Sequence, residues 1–395
     1  MGRVAVFVAL IFLAVTGWAQ AQTRLAPLPV QPAGLRWPTE EWPEAALPGD
    51  VDRASFDLAI TEAFAGIHPE MGETRALLIV QRGRIVFERY GEGYSRDTRL
   101  ISWSVAKSVT HALVGAAALQ GRVALDAPMG SPHWGAGDRR AAITWRHWLN
   151  MVDGQDYTEI GAPSVIENDA AIMLYGLGHA DTARWAARLP LIHEPGAHWN
   201  YNSAGSVLIA DSLSRVVAPD AIDPQQRRQR MRAWMDESLF RPIGMAPVVE
   251  FDPQGLFYGS AKVWADARDF ARFGYLYLRG GVWDGVRILP EGWVDFARTP
   301  GPDTETDVYG AHWWLTPASG PGAPMRSLIT DPDLSDVFSA QGHEGQLIVV
   351  VPSKDMVVVR LGRFDNQSGQ AWNVLGDWTT RLIAAFGDRS PGQAN

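Results

Sequence analysis

Strand-forming sequence is concentrated at the two ends of this 395-residue chain, and that distribution constrains the fold more than any other feature. "ALLIVQ-RG-RIVFERY" (76–90) is two β-rich runs around Arg82-Gly83, and "GQLIVVV-PSKD-MVVVRLG" (345–362) has the same form near the C-terminus. β-branched and apolar runs broken by short polar turns read as hairpins. From 135 to 255 the strand signal disappears, and "ITWRHWLNMV", "DTARWAARL", "GSVLIADSLSRVV" and "RRQRMRAWMDESLF" carry the apolar spacing of helices. Helical patterns also occupy 55–67, 263–281 and the closing "QAWNVLGDWTTRLIAAFG". The simplest architecture joins the two hairpins in one antiparallel sheet, covered by the terminal helices, with the helical stretch inserted between them. The expected fold class is therefore α/β of the α+β type. The expected α/β domain is built from 51–134 and 256–395, and the mostly helical domain from 135–255. A site would form at their seam, where clefts are common.

The ends need separate treatment. Residues 22–50 hold Pro27, Pro29, Pro32, Pro38, Pro43 and Pro48, which suits an extended lead-in. Before it, Arg3 precedes an apolar run from Val4 to Val15, and Ala19-Gln20-Ala21 has the small-x-small pattern of a cleavage site. Residues 1–21 are expected to be a cleaved export signal, which would place the protein in the periplasm or medium of a bacterium. No later segment is long and apolar enough to span a bilayer. The chain has no cysteine, so disulfides, a thiol nucleophile and cysteine-ligated zinc are excluded. A net charge of −9 without any basic block argues against nucleic acid as a partner.

Chemistry is concentrated in three short stretches. The first is "ISWSVAKSVTHALVGAAALQG" (101–121), which sets Lys107 three residues after Ser104 at the start of an apolar helix. Of 35 basic residues only Lys107, Lys262 and Lys354 are lysines. Arginine stays protonated, whereas a desolvated lysine can surrender its proton and act as a base. Residues three apart on a helix share a face, and a serine hydroxyl needs such a base to become a nucleophile. Free N–H groups at the helix start suit a developing oxyanion. The plainer reading is a capping serine with a surface lysine, but Val105, Ala106, Val109, Ala112, Leu113 and Ala116 make this helix largely apolar. The second stretch is "HEPGAHWNYNSAG" (193–205), where Tyr201 stands between a turn and a helix start. It can be core packing or can present its hydroxyl to a cleft. The third is "SAQGHEGQLIVVV", where His343-Glu344-Gly345 leads into a strand and the Gln346 N–H could meet a substrate oxygen.

In this order the motifs resemble those of the serine β-lactamase-related and penicillin-binding-protein superfamily, and most of all its esterase and 6-aminohexanoate-dimer hydrolase branch. "SWSVAKS" is similar to that family's nucleophile box, "PGAHWNYNSAG" to its tyrosine box, and "GHEGQ" to its K-T-G-type strand. The resemblance extends over about residues 75–365 and includes "ARDFARFGYLYLRGGVWDGVRILPEGW" (267–293). It implies that Ser104 is acylated, that Lys107 is its base and that Tyr201 carries the proton to the leaving group. It further implies an oxyanion hole from the backbone N–H groups of Ser104 and Gln346, no metal and no organic cofactor. His343 stands where the family has the K-T-G lysine, and Ser203 where many relatives have the asparagine of Tyr-x-Asn. Both changes favour a small ester or linear amide over a β-lactam or peptidoglycan, because the carboxylate-reading lysine and the carbonyl-gripping amide are missing.

Trp103, Trp199, Trp313 and Trp314 are candidates to flank the cleft, and Tyr157 with Glu159 to face it as substrate contacts or to lie on a surface loop. With His343, Gly345 and Ser203, Trp103 and Tyr157 make up the expected substrate-binding set. His193 and His198 are five apart and separated by Pro195-Gly196, which argues against a zinc site. The sequence thus reads as an exported serine hydrolase of small-molecule esters or amides. The alternatives are a β-lactamase or cell-wall D-amino-acid peptidase of the same fold, and a ligand-binding relative without turnover.

Overall fold

The computed structural model describes residues 25–135, 137–302, 307–316, 328–329, 331–364 and 369–388. The expected export signal, 1–21, lies outside the described residues. The two hairpins form as expected. Strands β1 (Glu73–Gln81) and β2 (Arg84–Tyr90) are joined by Arg82 and Gly83, both at positive φ, 50° and 75°. Two left-handed residues give the tight turn whose twist matches that of the strands. Strands β3 (Trp314–Leu315), β4 (Phe338–Gly342), β5 (Gln346–Val351) and β6 (Met356–Arg363) complete an antiparallel sheet in the order β2-β1-β6-β5-β4-β3. The N-terminal β1 thus pairs directly with the C-terminal β6, from Glu73 opposite Arg363 to Gln81 opposite Met356.

Alternate residues of these strands face opposite ways, and both faces are covered. Leu78, Val80, Ile348, Val350, Val357 and Val359 share one buried cluster with helices α2 (Val105–Leu119) and α5 (Ala267–Leu278). Leu77, Ile79, Leu347, Val349 and Val358 share another with α1 (Arg53–Phe64) and α6 (Ala371–Ala384). Burial on both sides is why these strands read as continuous apolar runs rather than alternating ones. Gly274 lets α5 approach closely: a Cβ there would stand 2.7 Å from both Ile348 Cγ2 and Val357 Cγ1.

The middle of the chain holds two long helices, α3 (Ser203–Val217) and α4 (Pro224–Met235), the latter continued by a π-helical turn at Asp236–Phe240. The other expected helices are brief, at Trp145–Leu149 and Thr182–Ala186. A two-residue strand, Val248–Val249, also lies here and joins Val263–Ala265 and Leu100–Ile101 in a small second sheet. The lead-in is tied to α5: Arg272 Nε donates to the Pro38 carbonyl at 2.7 Å, and Arg279 Nη1, just past the helix, to the Pro29 carbonyl at 3.0 Å. Among the described residues no helix is long and apolar enough to cross a membrane.

Candidate active site

Ser104 sits where the small sheet hands over to the central helix. Ser102 is fully buried, and its N–H donates to the Val263 carbonyl at 2.7 Å while its hydroxyl accepts from Val263 N at 3.1 Å. Trp103 then takes a left-handed φ of 44°, an unfavourable conformation for a bulky residue. That sharp reversal lets α2 start at Val105 with Ser104 as its cap residue. Among the described residues the Ser104 N–H has no acceptor, as expected of a first-turn amide. α2 is buried along Val105–Ala117, so Lys107 has nowhere to reach solvent and is 1 % exposed.

The Lys107 ammonium has well-defined partners. Nζ donates to Ser104 Oγ at 2.9 Å, to Ser203 Oγ at 2.8 Å and toward the Ser260 carbonyl at 3.5 Å, and lies 4.5 Å from the centroid of the Tyr201 ring. Burial lowers its pKa to about 8, with the Glu159 carboxylate opposing the shift. Tyr201 is buried too. Loss of solvent and then the Glu159 charge push its hydroxyl well above the usual range, against a hydrogen bond with Ser104. The structure therefore brings Tyr201 to Ser104 and Lys107, although it lies nearly a hundred positions further along the chain.

Asn202 does not join them. Its side chain caps α3 by accepting from Gly205 N at 2.9 Å, and it donates to the buried Asp153 carboxylate at 3.1 Å. Ser203 and Tyr157, expected as substrate contacts, are 2 % and 4 % exposed. Ser203 accepts from Lys107, and the Tyr157 hydroxyl donates to Glu159 Oε2 at 3.0 Å, so Tyr157 is not the surface-loop residue its neighbourhood suggested. Of the four tryptophans, Trp199 and Trp314 pack with Tyr201 and Tyr309, and Trp103 meets His343 edge-on at 5.4 Å. Trp313 is fully buried against Phe273, Tyr277 and Phe338, so it belongs to the core and not to the cleft.

His343, Glu344 and Gly345 form a tight turn between β4 and β5, with His343 exposed. Gly342 comes so close to the turn before Ser104 that a Cβ there would stand 2.2 Å from the Ser102 carbonyl oxygen. The turn is pinned from below by Arg360, whose Nη1 donates to the Gly345 carbonyl at 2.8 Å and Nη2 to the Met71 carbonyl at 2.7 Å. Arg360 is fully buried, and burial lowers its pKa to about 9. A lone charge inside "MVVVRLG" was visible in the sequence, since an arginine is rarely buried without a task. His312 had no such signal. Buried, and pushed by burial down to about 3, it is a neutral imidazole whose Nδ1 lies 2.9 Å from the Lys107 carbonyl and whose Nε2 lies 3.3 Å from Ser206 Oγ.

A hydroxyl beside a desolvated amine and a tyrosine, at a helix start, is equipped for nucleophilic attack on a carbonyl. Known proteins show what the chain is similar to. The chain is 24 % identical to 6-aminohexanoate-dimer hydrolase of Paenarthrobacter ureafaciens over 309 residues, 76 % of each protein. A Bacillus anthracis structure assigned to the 6-aminohexanoate-dimer hydrolases superposes with a TM-score of 0.64 at 19 % identity, covering 92 % of both chains. EstCE1, titled a hydrolase with promiscuous acyltransferase activity, superposes with a TM-score of 0.57 at 16 % identity, over 82 % of this chain and 98 % of its own. The model of the beta-lactamase family matches residues 69–375. With that match across most of its length, this chain belongs to the beta-lactamase family and is a hydrolase of the serine type.

Proposed function

We propose that the protein cleaves a small ester or linear amide through an acyl-enzyme on Ser104. The observation that carries this reading is Lys107: a buried amine 2.9 Å from a helix-start serine hydroxyl, with its pKa lowered by burial. Neutral Lys107 takes the Ser104 proton as Oγ bonds to the substrate carbonyl carbon. The carbonyl oxygen becomes an oxyanion held by the Ser104 and Gln346 N–H groups. Tyr201 then passes a proton to the departing alcohol or amine as its bond to carbon breaks. Water attacks the acyl-enzyme by the reverse route, releases the acid and returns the proton to Ser104. The absence of lysine at His343 supports substrates without a carboxylate beside the scissile bond, and the absence of an amide at Ser203 removes a grip on a substrate carbonyl. An exported location, from the expected signal at 1–21, accords with substrates outside the cytoplasm.

The experiment is intact-mass analysis after treatment with a fluorophosphonate. A single adduct on the wild type, absent in Ser104→Ala, is expected. A folded wild type that takes no adduct would reduce the site to ligand binding. The pH dependence has a definite sign. Lys107 must be neutral to act, so kcat/KM should climb with pH up to about 8 and then level off. Tyr201, pushed upward by burial, imposes no alkaline limit near that range. A profile flat down to about pH 5 would remove Lys107 from the role of base.

A further inference from the structure

A tight turn just before β3 carries a buried histidine that bonds to both α2 and α3. Tyr309 and Trp314 form a bridge across the turn, and the Gly310 N–H donates to the Trp313 carbonyl at 2.9 Å. His312, near the tip, has a left-handed φ of 57° and is held at three points. Its carbonyl accepts from Ser108 Oγ at 2.7 Å, its Nδ1 lies 2.9 Å from the Lys107 carbonyl, and its Nε2 lies 3.3 Å from Ser206 Oγ. The partners fix the tautomer. A carbonyl only accepts, so Nδ1 carries the proton, and the neutral ring leaves Nε2 bare to accept from the Ser206 hydroxyl. One ring thus joins α2 at Lys107 to α3 at Ser206. Ser206 is three residues beyond Ser203 and shares its face of the helix.

The same turn also flanks the tyrosine. The Tyr309 and Trp314 rings lie 5.9 Å and 5.4 Å from that of Tyr201. Its two sides therefore rest on Tyr201 while its tip grips the helix that bears Lys107. Simple packing could be supplied by an apolar side chain. A buried imidazole on left-handed backbone is costly to keep, and such strain persists where the surroundings over-determine it.

We propose that His312 is a positioning residue for the acyl-enzyme chemistry: it fixes α2 against α3 at the separation where Lys107 Nζ meets Ser104 and Ser203 at once. This rests on the acyl-enzyme reading above. The titratable groups bearing on the pair are Glu159, whose charge opposes the lowering of the Lys107 pKa, Tyr201, whose ring lies 4.5 Å from Nζ, and His111, one turn along α2 and kept neutral by burial. His312 is neutral as well, so its part is geometric and it brings no charge to Lys107.

The test uses the full chain and the variants His312→Ala, His312→Asn and Ser206→Ala. Ser212→Ala is the control, because it removes another buried hydroxyl of α3, one that donates to the Gly130 carbonyl at 2.9 Å. For each, the rate of Ser104 labelling by a fluorophosphonate is measured across pH, beside kcat and KM for an activated aryl acetate and the melting temperature. His312→Ala should lose roughly a hundredfold in kcat and Ser206→Ala about tenfold, with KM within about twofold of wild type. Wild-type labelling should rise around pH 8. In both variants the rise should move to higher pH, since helices that part admit water to the amine and weaken the burial that lowers its pKa. Asparagine tolerates a left-handed φ and can donate to the Lys107 carbonyl, so His312→Asn should recover much of what alanine loses. Ser212→Ala should keep the wild-type rate and pH dependence. Variants that melt lower yet label and turn over like wild type would reduce His312 to a packing pin and overturn the proposal. An equal alkaline move in Ser212→Ala would overturn it too. If His312→Ala does not fold, Ser206→Ala and His312→Asn decide by the same criteria. An unlabelled wild type sinks the acyl-enzyme reading, while a labelled, active wild type with unmoved variants sinks only the positioning role.

Discussion

Lys107→Met should lose at least a thousandfold in kcat/KM, on the order expected when a nucleophile loses its base, and fold at least as stably as the wild type. The two effects have one cause. The lysine is 1 % exposed, and its pKa falls from 10.5 to about 8. A lowered amine pKa means that the folded state disfavours the charged form, at a cost of roughly 3 kcal/mol at neutral pH. That cost is fully present below about pH 8 and fades as pH rises through 8 toward 10.5. Methionine has nearly the same length and no charge to desolvate, although it leaves the Ser104 and Ser203 hydroxyls without their donor. Steady-state kinetics beside calorimetry at neutral and alkaline pH would check both halves. A variant that keeps a tenth of the activity, or that unfolds well below the wild type at pH 7, would contradict this account of Lys107.

The second large effect is expected at Gly345→Ala. Gly345 has φ 83°, where any other residue is strained, and a Cβ there would stand 2.4 Å from Arg360 Nη1 and 2.7 Å from a Phe364 ring carbon. Arg360 cannot yield, because its guanidinium is already committed to the Gly345 and Met71 carbonyls. The turn must move instead, and with it the Gln346 N–H. Displacing one oxyanion donor costs about a hundred- to a thousandfold in kcat, so that range is expected, with KM much less affected. The same measurement on Arg360→Lys should give a smaller loss in the same direction, because a single ammonium nitrogen lacks the rigid fork whose two separate nitrogens meet the Gly345 and Met71 carbonyls. Unchanged kcat in Gly345→Ala would show that the turn plays no part in holding the oxyanion.

The sheet and its covering helices were legible because burial on both faces writes long apolar runs, and the hairpin turns carry local signals at Arg82-Gly83 and Pro352–Asp355. The pairing of Ser104 with Lys107 was legible for the same kind of reason: a three-residue helical spacing fixes geometry within one turn. What the sequence concealed depends on contacts between distant segments. His312 reaches the Lys107 carbonyl across 205 positions, and nothing near it in the chain announces that. Tyr157 lies among polar residues and still goes inward, because its ring joins an apolar cluster that only the folded chain assembles, while its hydroxyl donates to Glu159 nearby in the chain. Ser203 was noticed for the amide it lacks, whereas its hydroxyl is the group that meets Lys107. The small second sheet was missed since strands of two or three residues leave no periodicity to detect.

The pairing of β1 with β6 has a consequence for the order of events in folding. The first hairpin can close as soon as β2 exists, but β1 keeps one edge open until residues 356–363 arrive. The Pro29 and Pro38 carbonyls likewise wait for arginines 250 and 234 positions later. Contacts of such long separation make folding slow and place it after synthesis rather than during it. A chain of this topology keeps an unpaired strand edge for most of the time it takes to make. Such an edge demands protection from aggregation until the last strand is in place.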